Sequence, residues 1–310
     1  MIAIPLAKKI LELFLILFAT AGLVKGGLLK SEDSRILARV SLYFVTPCVV
    51  FNSFQKKLTP EISQGLLIAA AMAVVFELIY FGIAAILKRV WKATEVERAS
   101  IVFTNAGNLV IPLVAYSMGE EWVIYTSAYI LVFNVLFWTA GIRMFDRENG
   151  ASLKKLLLNP NILAVMAGLL LLFSGATLPE PLSLAFSDVA GMIGPLSMII
   201  TGMVVGSMKI RDLTANRRIF GVILFRMVVC SGIAVLLAAL SGISGRIPLG
   251  KTLVLISLLS AIAPSASNIN QVAILYNHDA KYASAINILT TLSGIATIPL
   301  WVTVFEAIVG

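Results

Sequence analysis

The chain has 310 residues, of which 59% are hydrophobic and 13% are charged. Soluble proteins carry about 25% charged residues, so this composition excludes a soluble globular protein and indicates an all-α polytopic membrane protein. The net charge of +8 does not indicate a nucleic-acid partner, because the basic residues fall in short loops without an aromatic and basic patch. The two cysteines, Cys48 and Cys230, lie in apolar runs and are expected to be reduced thiols.

Apolar segments of roughly 20 residues, the length that crosses a bilayer as a helix, recur along the whole chain. We predict about ten spans, at about 10–28, 36–54, 62–87, 99–118, 122–144, 161–176, 183–207, 219–241, 250–276 and 281–309. Five spans per half is an odd number, so the two halves must insert with opposite orientations. The predicted fold is therefore an inverted repeat of five plus five helices, with a first repeat at 1–145, a cytoplasmic linker at 146–160 and a second repeat at 161–310.

Lysine and arginine are distributed unequally between the two sets of loops. Roughly 17 fall in the loops that follow odd-numbered spans, against roughly 6 on the other side. Basic residues accumulate in cytoplasmic loops, so the first set is predicted to be cytoplasmic and both termini to face outwards. We expect a multi-pass protein of the plasma (inner) membrane, surrounded by the lipid bilayer.

Two apolar spans, the fourth and the ninth, contain a proline among amide and hydroxyl side chains. The fourth carries FTNAGNLVIPLV at 103–114, and the ninth carries SAIAPSASNINQVA at 260–273. A proline removes a backbone donor and clashes with the preceding turn, so both helices are predicted to break, near Asn105–Pro112 and at Pro264. Broken helices at membrane depth must be covered by protein or line a cavity, and such a pair indicates a carrier's binding site.

Amide side chains at these breaks both donate and accept hydrogen bonds, and the N-terminus of a half-helix carries a partial positive charge that suits an anion. The predicted substrate-binding residues are Asn105, Asn108, Pro112, Pro264, Ser265, Ser267, Asn268 and Asn270, with Asn134 and Asn52 completing the cavity wall. The alternative is that these polar residues only hold helices together.

Glu77 and Arg226 are charged residues that lie away from the ends of their predicted spans, and a charge near the centre of a span costs at least about 2.5 kcal/mol. Glu77 is a candidate protonatable group that couples transport to a proton gradient. The alternatives are a structural pair between Glu77 and Arg226, or an arginine that snorkels to the membrane surface. The sequence contains no common hydrolase, phosphate-loop or metal-ligand motif, so we expect no enzyme activity, no metal and no cofactor other than a coupling H⁺ or Na⁺.

Three stretches of this sequence resemble the auxin efflux carrier family. FTNAGNLVIPL resembles the Asn-x-Gly-x-x-Gly-x-Pro-Leu segment of that family's fourth helix, with Val110 in place of the second glycine. LNPNILAVMAGLLL at 158–171 is similar to the start of its sixth helix, and residues 262–301 are similar to its ninth and tenth helices. The resemblance covers essentially the whole chain, and the short central loop is typical of a prokaryotic-type member.

The resemblance implies the crossed-helix fold of bile-acid-symporter-like carriers, within the bile, arsenite and riboflavin transporter superfamily. Asn105 and Pro112 match the first crossover, Pro264 matches the second, and Asn134 falls where plant members often place a polar residue facing the substrate. It also implies a homodimer and an elevator motion, in which helices 3–5 and 8–10 move against a scaffold of helices 1, 2, 6 and 7.

The function expected from the residues and the resemblance together is secondary active transport of small organic anions, especially carboxylates. Two alternatives stay open: a sodium-coupled symporter of the bile-acid type, and a membrane sensor that binds a ligand without moving it.

Overall fold

Short interruptions and π-helical turns divide the helices of this protein. The computed structural model describes residues 3–55, 59–146, 158, 160–209 and 216–309, and the predicted linker at 146–160 lies mostly outside them. The α-helices are α1 (Ala3–Lys25), α2 (Ser34–Val40), α3 (Thr46–Ser53), α4 (Pro60–Val90), α5 (Glu95–Val102), α6 (Ile111–Ser117), α7 (Val123–Leu136), α8 (Ile142–Phe145), α9 (Pro160–Ser174), α10 (Glu180–Gly191), α11 (Ile193–Ser207), α12 (Arg218–Ile223), α13 (Ser231–Leu240), α14 (Ile243–Arg246), α15 (Gly250–Ile262), α16 (Asn268–Leu275) and α17 (Ala280–Val309). The π-helical turns are Ser41–Val45, Ala106–Val110, Phe137–Gly141 and Leu224–Cys230.

Six helical stretches are long and apolar enough to cross a membrane, judged by length and composition. They are Ser31–Asn52, Pro60–Val90, Glu120–Phe145, Glu180–Ser207, Arg218–Arg246 and Ala280–Val309. Three shorter apolar helices, Ala106–Ala115, Ile162–Ser174 and Gly250–Ile262, fall where the fourth, sixth and ninth spans are predicted. The described residues therefore form a nearly all-helical multi-pass protein, whereas the count of ten spans and the inverted repeat stay predictions.

The two prolines predicted to break helices act differently. Pro264 follows the end of α15, and the residue before it, Ala263, is extended (φ −60°, ψ 154°) as residues that precede proline prefer. Pro112 lies in the first turn of α6, directly after the π-helical turn Ala106–Val110. A proline is tolerated in a first turn, so this break falls at the Asn105 end of the predicted stretch, at 103–105, and not at the proline.

Two glycines allow α1 and α11 to pack backbone against backbone. A Cβ on Gly202 would lie 2.4 Å from the Leu17 carbonyl oxygen, and one on Gly206 would lie 2.7 Å from the Ala21 carbonyl oxygen. Small residues four apart are typical of close helix pairs in membranes, where packing replaces the hydrophobic effect as the driving force. Helices α1 and α11 therefore form one tightly packed pair.

Helix α15 passes through the centre of the protein. Every residue from Leu253 to Ile262 is buried, as expected of a helix that is apolar on all its faces. Helices α4, α7 and α17 pack around it. Because α15 ends in the core, the break that follows it also lies in the core, where it meets the break that follows α5.

Candidate functional site

The two breaks pair through their backbones. The Asn105 N–H donates to the Pro264 carbonyl at 2.7 Å, and the Ala266 N–H donates to the Phe103 carbonyl at 2.9 Å. Thr104 and Ser265 thereby form an antiparallel β-bridge. Each break supplies hydrogen bonds that the other has lost, which is what backbone at membrane depth requires.

A small polar cavity lies beside this bridge. Its volume is about 40 Å³, close to the space that one water molecule occupies. The lining residues are Thr46, Thr104, Asn105, Gly107, Asn108, Ile130, Phe133, Asn134, Ala266 and Asn268. Four of the predicted amide side chains, those of Asn105, Asn108, Asn134 and Asn268, therefore meet at one place although they come from three separate parts of the chain.

The serines predicted for the site lie next to this cavity. The Asn108 Nδ2 donates to the Ser267 Oγ at 2.8 Å, which links the two broken segments through side chains. The Ser265 carbonyl accepts from the Asn287 Nδ2 at 2.6 Å, and the Ser265 N–H donates to the Thr290 Oγ1 at 3.2 Å. Asn287 and Thr290 are absent from the predicted site, although four polar residues within 287–293, inside an apolar span, are a usable signal.

The remaining predicted residues do not line this cavity. Asn52 accepts from the Gln55 Nε2 at 2.7 Å near the end of α3, and on that helix Thr46 lines the cavity instead. Asn270 is half-buried on α16. Pro112 and Pro264 are buried and shape the backbone on either side of the bridge.

Arg226 is fully buried and holds the ends of both interrupted helices. Its guanidinium donates to the Ile101 carbonyl at 3.0 Å, to the Ala263 carbonyl at 2.8 Å, and to the Ala261 carbonyl. Carbonyls at a helix C-terminus lack helical partners and carry a partial negative charge, so a cation stabilises them. The snorkelling alternative is therefore wrong, and the charge of Arg226 stays beside the bridge.

Glu77 is fully buried as well, on α4. It lies next to Tyr129 and within electrostatic range of Arg226. Neither of its carboxylate oxygens has a hydrogen-bond partner within the described residues. The Arg226 guanidinium faces the ring of Tyr80, 4.9 Å from the ring centroid. The site therefore contains a buried acidic group and a buried basic group that lie within electrostatic range of each other.

Glu97 is a second buried carboxylate, and it accepts hydrogen bonds from residues at the ends of three helices. The Arg218 Nε and Nη2 donate to its two oxygens at 2.7 and 2.8 Å, and the Tyr282 hydroxyl donates to Oε1 at 3.0 Å. The Thr94 N–H donates to Oε2 at 2.8 Å and completes a capping box at the start of α5. Glu97 thus connects α5 with α12 and α17 at one end of the protein.

Replacing Glu97 by glutamine should lower the free energy of unfolding by about 2 kcal/mol, because its charged hydrogen bonds are lost in a buried position. Burial raises the pKa of Glu97, but hydrogen bonds from Arg218, Thr94 and Tyr282 outweigh it and hold the pKa below its ordinary value of 4.5. A lowered folded-state pKa means that the stabilisation is complete above pH 4.5 and is lost as the pH falls below it. Chemical unfolding at neutral pH and below about pH 4 measures both effects.

The matched control is Glu95→Gln, two residues away, whose carboxylate is 38% exposed and pairs with Arg98 at 3.3 Å. Glu95 makes a single 3.3 Å contact through a partly exposed carboxylate, so its replacement should cost less, about 0.5 kcal/mol. Equal losses in the two variants would contradict the role given to Glu97.

The sequence profile of a family described as membrane transport protein matches the chain twice, over residues 5–154 and 147–302. A comparison with curated proteins finds no match. The two matched stretches together cover nearly the whole chain, including both broken segments.

Proposed function

Because this chain belongs to the membrane transport protein family, that of the auxin efflux carriers, we propose that it is a secondary carrier of small organic anions, especially carboxylates. The family match confirms the resemblance seen in the sequence, and the family is one of membrane transporters, not of enzymes. The observation that carries the proposal is the polar cavity beside the Thr104–Ser265 bridge, in which we place the charged group of the substrate.

The chemistry of the cavity wall supports an anion. Asn105 is the first residue of the second half of its span, and its side chain makes no capping hydrogen bond there. Its amide can therefore donate to a ligand, as can those of Asn134 and Asn268. The buried charge of Arg226 lies directly behind the bridge, and a positive charge in a low-dielectric environment attracts an anion more strongly than it would in water.

The size and position of the cavity support a moving carrier. A space of about 40 Å³ is small for a whole dicarboxylate, which supports a wall that opens to admit a substrate. Thr46 of α3 lines this space together with Asn105 and Asn134. We propose that α4–α8 and α12–α17 move as an elevator against a scaffold of α1–α3 and α9–α11. The cavity then lies at the boundary between the two groups, where alternating access needs it.

The pair of buried charges supports coupling to protons. While Glu77 is ionised, its negative charge offsets that of Arg226 and repels an anion in the cavity. Protonation of Glu77 leaves the charge of Arg226 uncompensated, so one proton and one anion favour each other's binding. The plasma membrane, the outward-facing termini and the homodimer remain parts of this proposal, supported by the distribution of lysine and arginine and by the family.

Counterflow in proteoliposomes tests the proposal. Vesicles loaded with one carboxylate should accumulate its labelled form from outside, across a panel of mono- and dicarboxylates. Asn105→Ala removes a hydrogen bond to a charged ligand and should weaken exchange by about tenfold or more. Asn52→Ala is the matched control, because Asn52 lies outside the cavity and should leave exchange unchanged.

Three other outcomes would change the conclusion. Binding of a carboxylate without exchange would support the sensor. Exchange that requires sodium at every pH would support the sodium-coupled symporter. Equal losses in the two asparagine variants would exclude the cavity as the substrate site.

A further inference from the structure

A basic cleft opens at the end of the protein where α4 and α8 finish and α5 begins. It consists of two adjoining spaces of about 390 and 450 Å³, which share Phe81, Arg98 and Met144 as lining residues. The other lining residues are Thr139, Ala140 and Arg143 in the first space, and Ala84, Ala85, Lys88 and Arg89 in the second. The basic cleft shares no lining residue with the cavity at the bridge, so it is a separate site.

Four cations surround the basic cleft, and one of them is buried. The side chain of Arg98 is only 9% exposed, and its Nε has no hydrogen-bond partner within the described residues. Its ion pair with the partly exposed Glu95 is 3.3 Å long. Lys88, Arg89 and Arg143 form no ion pair with any described residue. A buried guanidinium with an unused donor, beside three further cations, requires an anion with several acceptor oxygens.

An apolar surface continues from the basic cleft towards the middle of the membrane. On α4, Leu78 and Val74 lie one and two turns before Phe81, on the same face, and they are 59% and 41% exposed. On the neighbouring segment, Val135 lies one turn before Thr139 and is 39% exposed. A ligand of the basic cleft would therefore meet cations at one end and exposed hydrocarbon at the other, which is the pattern that an amphiphile fits.

We propose that the basic cleft binds an anionic phospholipid, with the phosphate against Arg98 and Arg143 and an acyl chain along Val74, Leu78 and Val135. The loop between α4 and α5 belongs to the set predicted to be cytoplasmic, the side on which basic residues between membrane helices meet anionic headgroups. A soluble anion would use the cations but not the apolar surface, and a neutral lipid would use the surface but not the cations.

The protein purified without added lipid is titrated with short-chain phosphatidylglycerol, and the bound lipid is counted by native mass spectrometry. Matched titrations use phosphatidylcholine, inorganic phosphate and glycerol phosphate. Phosphatidylglycerol should bind at least tenfold more tightly than any of these three. Arg143→Gln should weaken its binding by roughly fivefold, and Lys88→Gln combined with Arg143→Gln by roughly thirtyfold.

Arg39→Gln is the matched control, because Arg39 is an exposed arginine of the same predicted side that lies outside the basic cleft. It should leave the binding of phosphatidylglycerol unchanged. Lys88, Arg143 and Arg39 are all exposed, so these variants should keep the unfolding temperature of the wild type in phosphatidylcholine. Equal binding of phosphatidylcholine, equal binding of a soluble phosphate, or equal losses in Arg39→Gln and Arg143→Gln would each overturn the proposal.

Discussion

Replacing Arg226 by methionine should lower the free energy of unfolding by about 3–5 kcal/mol, the range for removing one partner of a buried charge network. Methionine fills most of the volume of arginine but donates no hydrogen bond. The carbonyls of Ile101 and Ala263 would then be buried without their side-chain donor at the point where two helices end, while the Ala261 carbonyl would keep the Tyr80 hydroxyl at 3.1 Å. Glu77 would also lose its electrostatic attraction to Arg226.

The measurement is unfolding by sodium dodecyl sulfate in mixed micelles, followed by tryptophan fluorescence. Arg246→Met is the control, because Arg246 is exposed at the end of α14 and should change stability by less than about 0.5 kcal/mol. Arg226→Lys should fall between the two, since one ammonium cannot reach three carbonyls as a planar guanidinium does. A similar small loss in both methionine variants would mean that Arg226 does not hold the breaks together.

Replacing Glu77 by glutamine should abolish the pH dependence of anion binding. In the wild type, affinity should rise by about tenfold for each unit of acidification over the range in which Glu77 titrates, because one proton accompanies each anion. Glutamine has the shape and charge of the protonated carboxyl, so the variant should bind at every pH as tightly as the acidified wild type. It should also exchange anions without moving protons.

The measurement is equilibrium binding of the best carboxylate from the counterflow panel at several pH values. It gives the slope of affinity against pH for the wild type and for the Glu77 variant. Glu61→Gln controls for a charge change on the same helix, since Glu61 is exposed in the first turn of α4. Wild-type slopes in the Glu77 variant would falsify the coupling role of Glu77 while leaving the cavity as the anion site.

The pairing of the two breaks agrees with the sequence, because a broken helix in lipid needs backbone partners and the other half of the chain contains a second proline among polar residues. The same argument places Asn105, Asn108 and Asn268 together, since each lies within a few residues of a break. It does not determine which residue of a helix faces the cavity. Asn52 and Thr46 are both polar residues of α3, and only the packing of α3 against its neighbours decides that Thr46 lines the cavity.

The role of Arg226 could not be predicted in the same way. Its partners are backbone carbonyls, which every residue possesses, so no side-chain pattern marks Ile101, Ala261 or Ala263. The exact residues at which the first broken helix is interrupted could not be predicted from the sequence either. Pro112 predicts a break, but the π-helical turn before it lets the helix continue through the proline. The helix is interrupted at 103–105 instead.

The bridge between Thr104 and Ser265 is made by peptide groups, which are the same whatever side chains they bear. The backbone therefore holds the two segments together, and the side chains form the wall of the cavity. Substitutions at Asn134 or Asn268 change side chains of the proposed substrate cavity and leave the backbone hydrogen bonds between the two segments in place, whereas a substitution at Asn108 also removes its side-chain hydrogen bond to Ser267. Single side-chain substitutions in the proposed cavity can therefore change which ligand binds. The backbone hydrogen bonds between the two segments stay the same.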